Sequence, residues 1–145
     1  WGVKQRMPTI PNSEPGGTME RITEIFVILE NRPSTLGELC SHLAENDINI
    51  DAIGVFQDTA KLYVKNVTKA VKLLGRLNYT TELRDVLRID LENRPGALAE
   101  VTTKLGNKGI NIDYCYGTLS RKGGQTSIIL DVSDIDKAIS ILGGE

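Results

Sequence analysis

The chain is poor in the residues that carry most catalytic chemistry. It has one histidine, His42, and two cysteines, Cys40 and Cys115, in 145 residues. Neither cysteine stands in a CxxC pair or beside a histidine, which argues against a disulfide framework, a zinc site or metal carriage, and for a reducing cytoplasm. No Ser-His-Asp or Cys-His set can be assembled, nor a phosphate-cradling glycine loop with its lysine, so the chain is not expected to be an enzyme and no catalytic residue, metal ligand or cofactor is assigned. A surplus of positive charge is missing too. With 17 Lys and Arg against 19 Asp and Glu, the net charge is −2, whereas a nucleic-acid partner requires a basic face. No apolar run approaches the length of a membrane helix and no signal-peptide pattern is visible, so no membrane partner is expected. Aromatics are 5% of the chain. Tyr114 and Tyr116, on either side of Cys115 and without basic neighbours, read as interface packing rather than a base-stacking platform.

What is present is a repeat. LENRP occurs at Leu29–Pro33 and again at Leu91–Pro95, and each copy leads into INID, at Ile48–Asp51 and Ile110–Asp113. At the offset of 62 (91 − 29), Leu29–Ile53 matches Leu91–Cys115 at 12 of 25 positions without a gap, the mark of a tandem duplication. The match resumes at an offset of 68, where Lys69, Ala70 and Leu74 meet Lys137, Ala138 and Leu142, so six extra residues fall within Thr118–Gln125. A lone module of about 60 residues buries little of its surface, so two modules sharing a core are expected. Residues 1–18, with Pro8, Pro11, Pro15 and the pair Gly16–Gly17, read as a linker or arm, disordered or foreign to the fold. The first module is expected at 20–85 and the second at 86–145.

In the first module Ile22–Glu30 reads as a strand with Ile25, Val27 and Leu29 on one face. Its twin, Leu87–Glu92, alternates cleanly, but where it has Arg88 and Asp90 the first copy has Phe26 and Ile28. That apolar face is expected to be covered, by a second chain or by the arm. Asn31–Ser34 and Asn93–Gly96 read as turns. Helices follow, with Leu36, Leu39, Cys40 and Leu43 repeated by Leu98, Val101, Thr102 and Leu105 at helical spacing. They end at Asn46–Asp47 and Lys108–Gly109. Strands at the two INID segments and hairpins through Gln57–Thr59 and Lys122–Gly124 come next. A second helix then carries Val67, Ala70, Val71 and Leu74, or Ile135, Ala138, Ile139 and Leu142. Tyr79–Arg84 completes the first module as a fourth strand. The second has no fourth strand of its own, and Val3, Gln5 and Met7 of the arm are one candidate to supply it. The fold class is therefore α+β, two ferredoxin-like βαββαβ modules with antiparallel sheets.

LENRPGAL followed by GINID resembles the ACT domain, a small regulatory module attached to many enzymes of amino-acid metabolism. It is most similar to the serine-binding type at the end of phosphoglycerate dehydrogenases, where HENRPG precedes a VNI strand, and the resemblance spans about Ile22 to Leu142. It implies an amino acid held where two modules meet, by the turn of one and the second strand of the other. Carried over, the turn contributes Asn31 and Ser34 in one copy and Asn93, Gly96, Ala97 and Leu98 in the other; the strands contribute Asn49 and Asn111. Asn93 would pair with Asn49, and Asn31 with Asn111. The resemblance also implies a homodimer or higher homo-oligomer and a regulated enzyme as partner. The histidine of the serine-binding pattern is Leu29 or Leu91 here, which argues against serine itself. Ser34 in the place of glycine implies a narrower or empty first turn.

Elementary chemistry supports the same site. A helix that starts just after a tight turn offers unpaired amides and a positive dipole end to a carboxylate. An asparagine offers a carbonyl to an ammonium group and an amide to a carboxylate. Blander readings stay open: Asn31 and Asn93 closing their own turns, Asn49 and Asn111 capping loops, Arg32 and Arg94 as solvated charges, Asp51 and Asp113 as solvated strand positions. The function expected is regulatory amino-acid binding. The alternative is a scaffold that only oligomerises.

Overall fold

The computed structural model of the chain describes residues 18–119 and 125–144. The elements are β1 (Met19–Ile28), α1 (Thr35–Glu45), β2 (Ala52–Phe56), β3 (Thr59–Tyr63), α2 (Val67–Arg76), β4 (Thr81–Glu92), α3 (Ala97–Asn107), β5 (Ile112–Gly117), β6 (Gln125–Val132) and α4 (Ile135–Gly144). They form two compact units. One, the inserted unit, is Thr23–Arg84; the other, the flanking unit, joins residues 18–22 to 85–144.

In the inserted unit the strands hydrogen-bond in the order β2-β3-β1-β4, the 4-1-3-2 order of a split βαβ fold. The register sets Ile25 opposite Leu62 and Val27 opposite Ala60, so one sheet face is aliphatic. Against it pack Leu39 and Leu43 of α1 and Ala70, Leu73 and Leu74 of α2. The chain turns between β2 and β3 at Gln57, whose φ is 59°. The first INID is not yet strand. It is an extended lead-in to β2, tied down where the Asp51 N–H bonds the Tyr63 carbonyl at 2.9 Å.

The flanking unit repeats this arrangement, with β6 between β4 and β5. Its core of Leu87, Ile89, Val101, Leu105, Leu130 and Leu142 occupies the positions equivalent to Ile25, Val27, Leu39, Leu43, Leu62 and Leu74. Each unit thus has its own core, where a shared one was expected. The fourth strand is Met19–Ile22, the start of β1. The Asp90 N–H bonds the Thr18 carbonyl at 2.8 Å, and Met19, 1% exposed, lies in this unit's core. The expected alternative in Val3, Gln5 and Met7 lies outside the described residues, as does the hairpin at Lys122–Gly124. In the inserted unit the Ile28 N–H bonds the Thr80 carbonyl at 3.0 Å.

Three local expectations change. Tyr79–Arg84 and Leu87–Glu92, read as separate strands, are one continuous β4. Leu36 and Leu98, placed on the inward helix faces by spacing, are 40% and 43% exposed, and the residues buried at the helix starts are Thr35 and Ala97. On the face of β1 away from the helices, Ile28 is 50% exposed. Phe26 there is covered in part by its own unit: the Lys61 ammonium lies 4.6 Å from the Phe26 ring centre and 5.2 Å from that of Phe56, within cation–π range.

Candidate functional site

The two turns share one backbone. After β4, the Arg94 N–H bonds the Glu92 carbonyl at 3.0 Å, the Ala97 N–H bonds that of Arg94 at 3.3 Å, and the Glu100 N–H opens the helix on Gly96 at 2.9 Å. After β1 the same bonds run from Arg32 to Glu30, Thr35 to Arg32 and Glu38 to Ser34. Gly96 sits at φ 91°, ψ −15° and Ser34 at φ 82°, ψ −19°, both left-handed. The first turn is therefore not narrower, contrary to expectation; its serine adopts the conformation that glycine takes without cost. One compensation is visible. The Thr35 hydroxyl bonds the carbonyls of Glu30 at 2.6 Å and Arg32 at 3.1 Å, ties that Ala97 cannot make.

At each helix start, the amides that precede the first intrahelical bond are orphan donors. In α3 these include Leu98 and Ala99. Neither helix has a side-chain cap bond at its N-terminus, and both Asn31 and Asn93 are exposed. The bland reading, in which these asparagines close their own turns, fails: backbone amides and Thr35 do the closing. The arginines are not simply solvated either. Arg94 bonds Glu92 through Nε and both carboxylate oxygens of Glu100 through Nη2, at 3.0 and 3.1 Å. These bonds, to Glu100 first and Glu92 second, raise its pKa. Arg32 bonds Glu30 at 2.9 Å, which raises its pKa, and the Pro33 carbonyl at 3.5 Å. Glutamates at matching positions in both copies were the signal for these clamps. Nothing in the repeat pointed to the Thr35 hydroxyl.

The strand asparagines sit at the other end of each helix. Asn49 donates to Asp51 at 2.9 Å, and Asn111 to Asp113 at 2.6 Å, so neither aspartate is merely solvated. In each unit a helix of 11 residues separates the turn asparagine from the strand asparagine, about 16 Å at 1.5 Å per residue. One small ligand cannot touch both within one module. His42 packs edge-on against Tyr79 with ring centres 6.3 Å apart, and burial raises the Tyr79 pKa. Among the described residues no group of three His, Cys, Asp or Glu could hold a metal ion, and no helix is long and apolar enough to cross a membrane.

Twice along the chain, a split βαβ frame sets a proline turn before a helix whose first amides are unused and whose neighbouring carboxamide is exposed. This defines a pair of ferredoxin-like modules with a donor-rich turn. A family model described as an ACT domain pair matches residues 20–142, and the chain belongs to that family. Among solved structures it is similar to protein BT0572 from Bacteroides thetaiotaomicron, with 28% identity over 84% of this chain and 86% of that one and a TM-score of 0.74. It is similar in fold to the regulatory subunit of aspartate kinase from Thermus flavus, with 18% identity, 90% and 95% covered and a TM-score of 0.65. A third is E. coli aspartokinase III in complex with lysine and aspartate, with 13% identity over 98% of this chain and 33% of that chain and a TM-score of 0.59. No curated protein matches the sequence.

Proposed function

We propose that this chain is a regulatory module that binds a free amino acid and, through it, controls its own association or that of an enzyme of amino-acid metabolism. The observation that carries the reading is the exposed Asn93 carboxamide beside the orphan amides that open α3. The amides and the dipole take the ligand's α-carboxylate. Asn93 offers its carbonyl to the α-ammonium group, and Gly96 keeps the approach free of a side chain. Because turn and strand asparagines lie a helix length apart in each module, a ligand at the turn does not reach the strand asparagine of its own module, and the family pattern takes that group from a neighbouring module. A ligand that joins two modules stabilises the arrangement in which they meet, and so transmits its presence. Kinship in fold with aspartate kinase regulatory subunits supports this reading. So does the structure of aspartokinase III in complex with lysine and aspartate. The same reading implies a cytoplasmic homodimer or higher homo-oligomer without catalytic activity of its own.

A thermal-shift screen against the standard amino acids at millimolar concentration tests it. Selective binding to the native state raises the melting temperature by several degrees for a few of them, and Asn93→Ala removes that shift while its own unliganded melting curve stays cooperative. No shift with any amino acid favours the scaffold reading.

A further inference from the structure

One cavity lies wholly within the inserted unit, between the end of α1 and the start of α2. Its volume is about 270 Å³, just below the usual range of small-molecule pockets, and it is lined by Asp47, Ile48, Asn49, Asp51, Lys65, Asn66 and Lys69. The charges balance, two carboxylates against two ammonium groups, which disfavours a metal cation or a multiply charged anion.

The polar groups include both donors and acceptors. Asn66 Oδ1 accepts the Lys69 N–H at 3.1 Å, so its amide remains as a donor. Asn49 spends its amide on Asp51, so its carbonyl remains as an acceptor. Asp51 is already held, by Asn49 and by the Lys65 ammonium at 3.5 Å. The lining thus offers donors and acceptors and both signs of charge, as a zwitterion requires.

The flanking unit has no such set. Where the inserted unit has Asp47 and Lys65, it has Gly109 and Ser133, and the Ser133 hydroxyl accepts the Asn111 N–H at 3.0 Å. Asp47 keeps a left-handed φ of 60°, where Gly109 has 81°.

We propose that this cavity is a second amino-acid site, contained within the inserted unit, in which Lys69 and Asn66 take the ligand's α-carboxylate and Asp47 its α-ammonium group. The proposal rests on the reading of the chain as an amino-acid binder, but not on the turn at Gly96.

Amide NMR of the whole chain, titrated with each standard L-amino acid, separates the two sites. The expected result is saturable shifts at Ile48 and Asn66 for at least one amino acid. The des-amino and decarboxylated analogues of that amino acid should bind at least about tenfold more weakly, since each lacks one charge-assisted contact. The double variant Asp47→Gly with Lys65→Ser carries the residues of the flanking unit and so retains a compatible backbone. It and Lys69→Ala should each weaken the response at Ile48 and Asn66 at least about tenfold while leaving any response at Leu98 and Ala99 unchanged. Shifts at Leu98 and Ala99 but none at Ile48 and Asn66 would overturn the cavity site and leave the functional reading standing. So would shifts at Ile48 and Asn66 that survive in both variants. Silence at every amide overturns both.

Discussion

At Ser34 and Gly96 the backbone takes the same left-handed conformation, φ 82° and φ 91°, yet the two turns are held in different ways. The first puts an L side chain where it is disfavoured and ties the strand end down from inside with the Thr35 hydroxyl. The second uses glycine, has Ala97 in place of the hydroxyl, and is clamped from outside by Arg94 between Glu92 and Glu100. A turn can therefore keep its shape through duplication while its chemistry diverges. The second is the more open to a ligand, because glycine puts no side chain of its own at the left-handed position. The same divergence recurs at the far ends of the helices, where Asp47 and Lys65 of one unit became Gly109 and Ser133 in the other, or the reverse.

The largest effect expected from breaking this comparison lies in the shared strand. Met19→Ala removes a side chain from the flanking core and should lower stability by about 2–5 kcal/mol in urea denaturation. Hydrogen exchange should place the loss in β4, β6 and α4; a loss confined to α1 and α2 would contradict the assignment of Met19–Ile22 as the flanking unit's fourth strand. Next come the reciprocal turn swaps. Gly96→Ser should cost about 1–2 kcal/mol, the penalty for an L residue in the left-handed region. A Cβ there would meet only the Arg94 guanidinium, at 3.7 Å, so the cost is one of backbone alone. Ser34→Gly should relieve a similar strain, offset in part by the entropy of a freer unfolded chain. Equal and small effects at both sites would mean that Ser34 is not strained. The smallest is Thr35→Ala, which loses the two hydroxyl bonds and should cost about 1 kcal/mol. An unchanged denaturation midpoint would remove its role as the compensation for Ser34.

Much of this was legible in the duplication. Two copies at offsets of 62 and 68 define the order of elements, and the aliphatic positions that agree between copies, such as Leu39 with Val101 and Leu74 with Leu142, are the cores. The fourth strand of the flanking unit was not legible, because Met19-Glu20-Arg21 reads as polar and stands outside the repeat. Glu20 is nevertheless 7% exposed and takes the Arg88 guanidinium at 3.3 Å, a pairing invisible without the partner strand. The continuity of β4 was hidden for a similar reason, since Arg84 and Asp85 look like a break, yet a strand passes through exposed charges without difficulty. The turns were recognisable as turns, from the proline and the helix that follows. Their internal ties were not, because the Thr35 hydroxyl meets carbonyls that the fold brings back to it. The cavity residues Lys65, Asn66 and Lys69 stand more than a dozen residues from Asn49 and Asp51, and the β2–β3 hairpin joins them.

The central claim is that a free amino acid docks its carboxylate on the start of α3 beside Asn93. A crystal structure grown with the amino acid that gives the largest thermal shift tests this most directly. The account predicts the ligand's carboxylate within hydrogen-bond distance of the Leu98 and Ala99 amides and its ammonium group on the Asn93 carbonyl. A bound amino acid that leaves both amides and Asn93 untouched would contradict it.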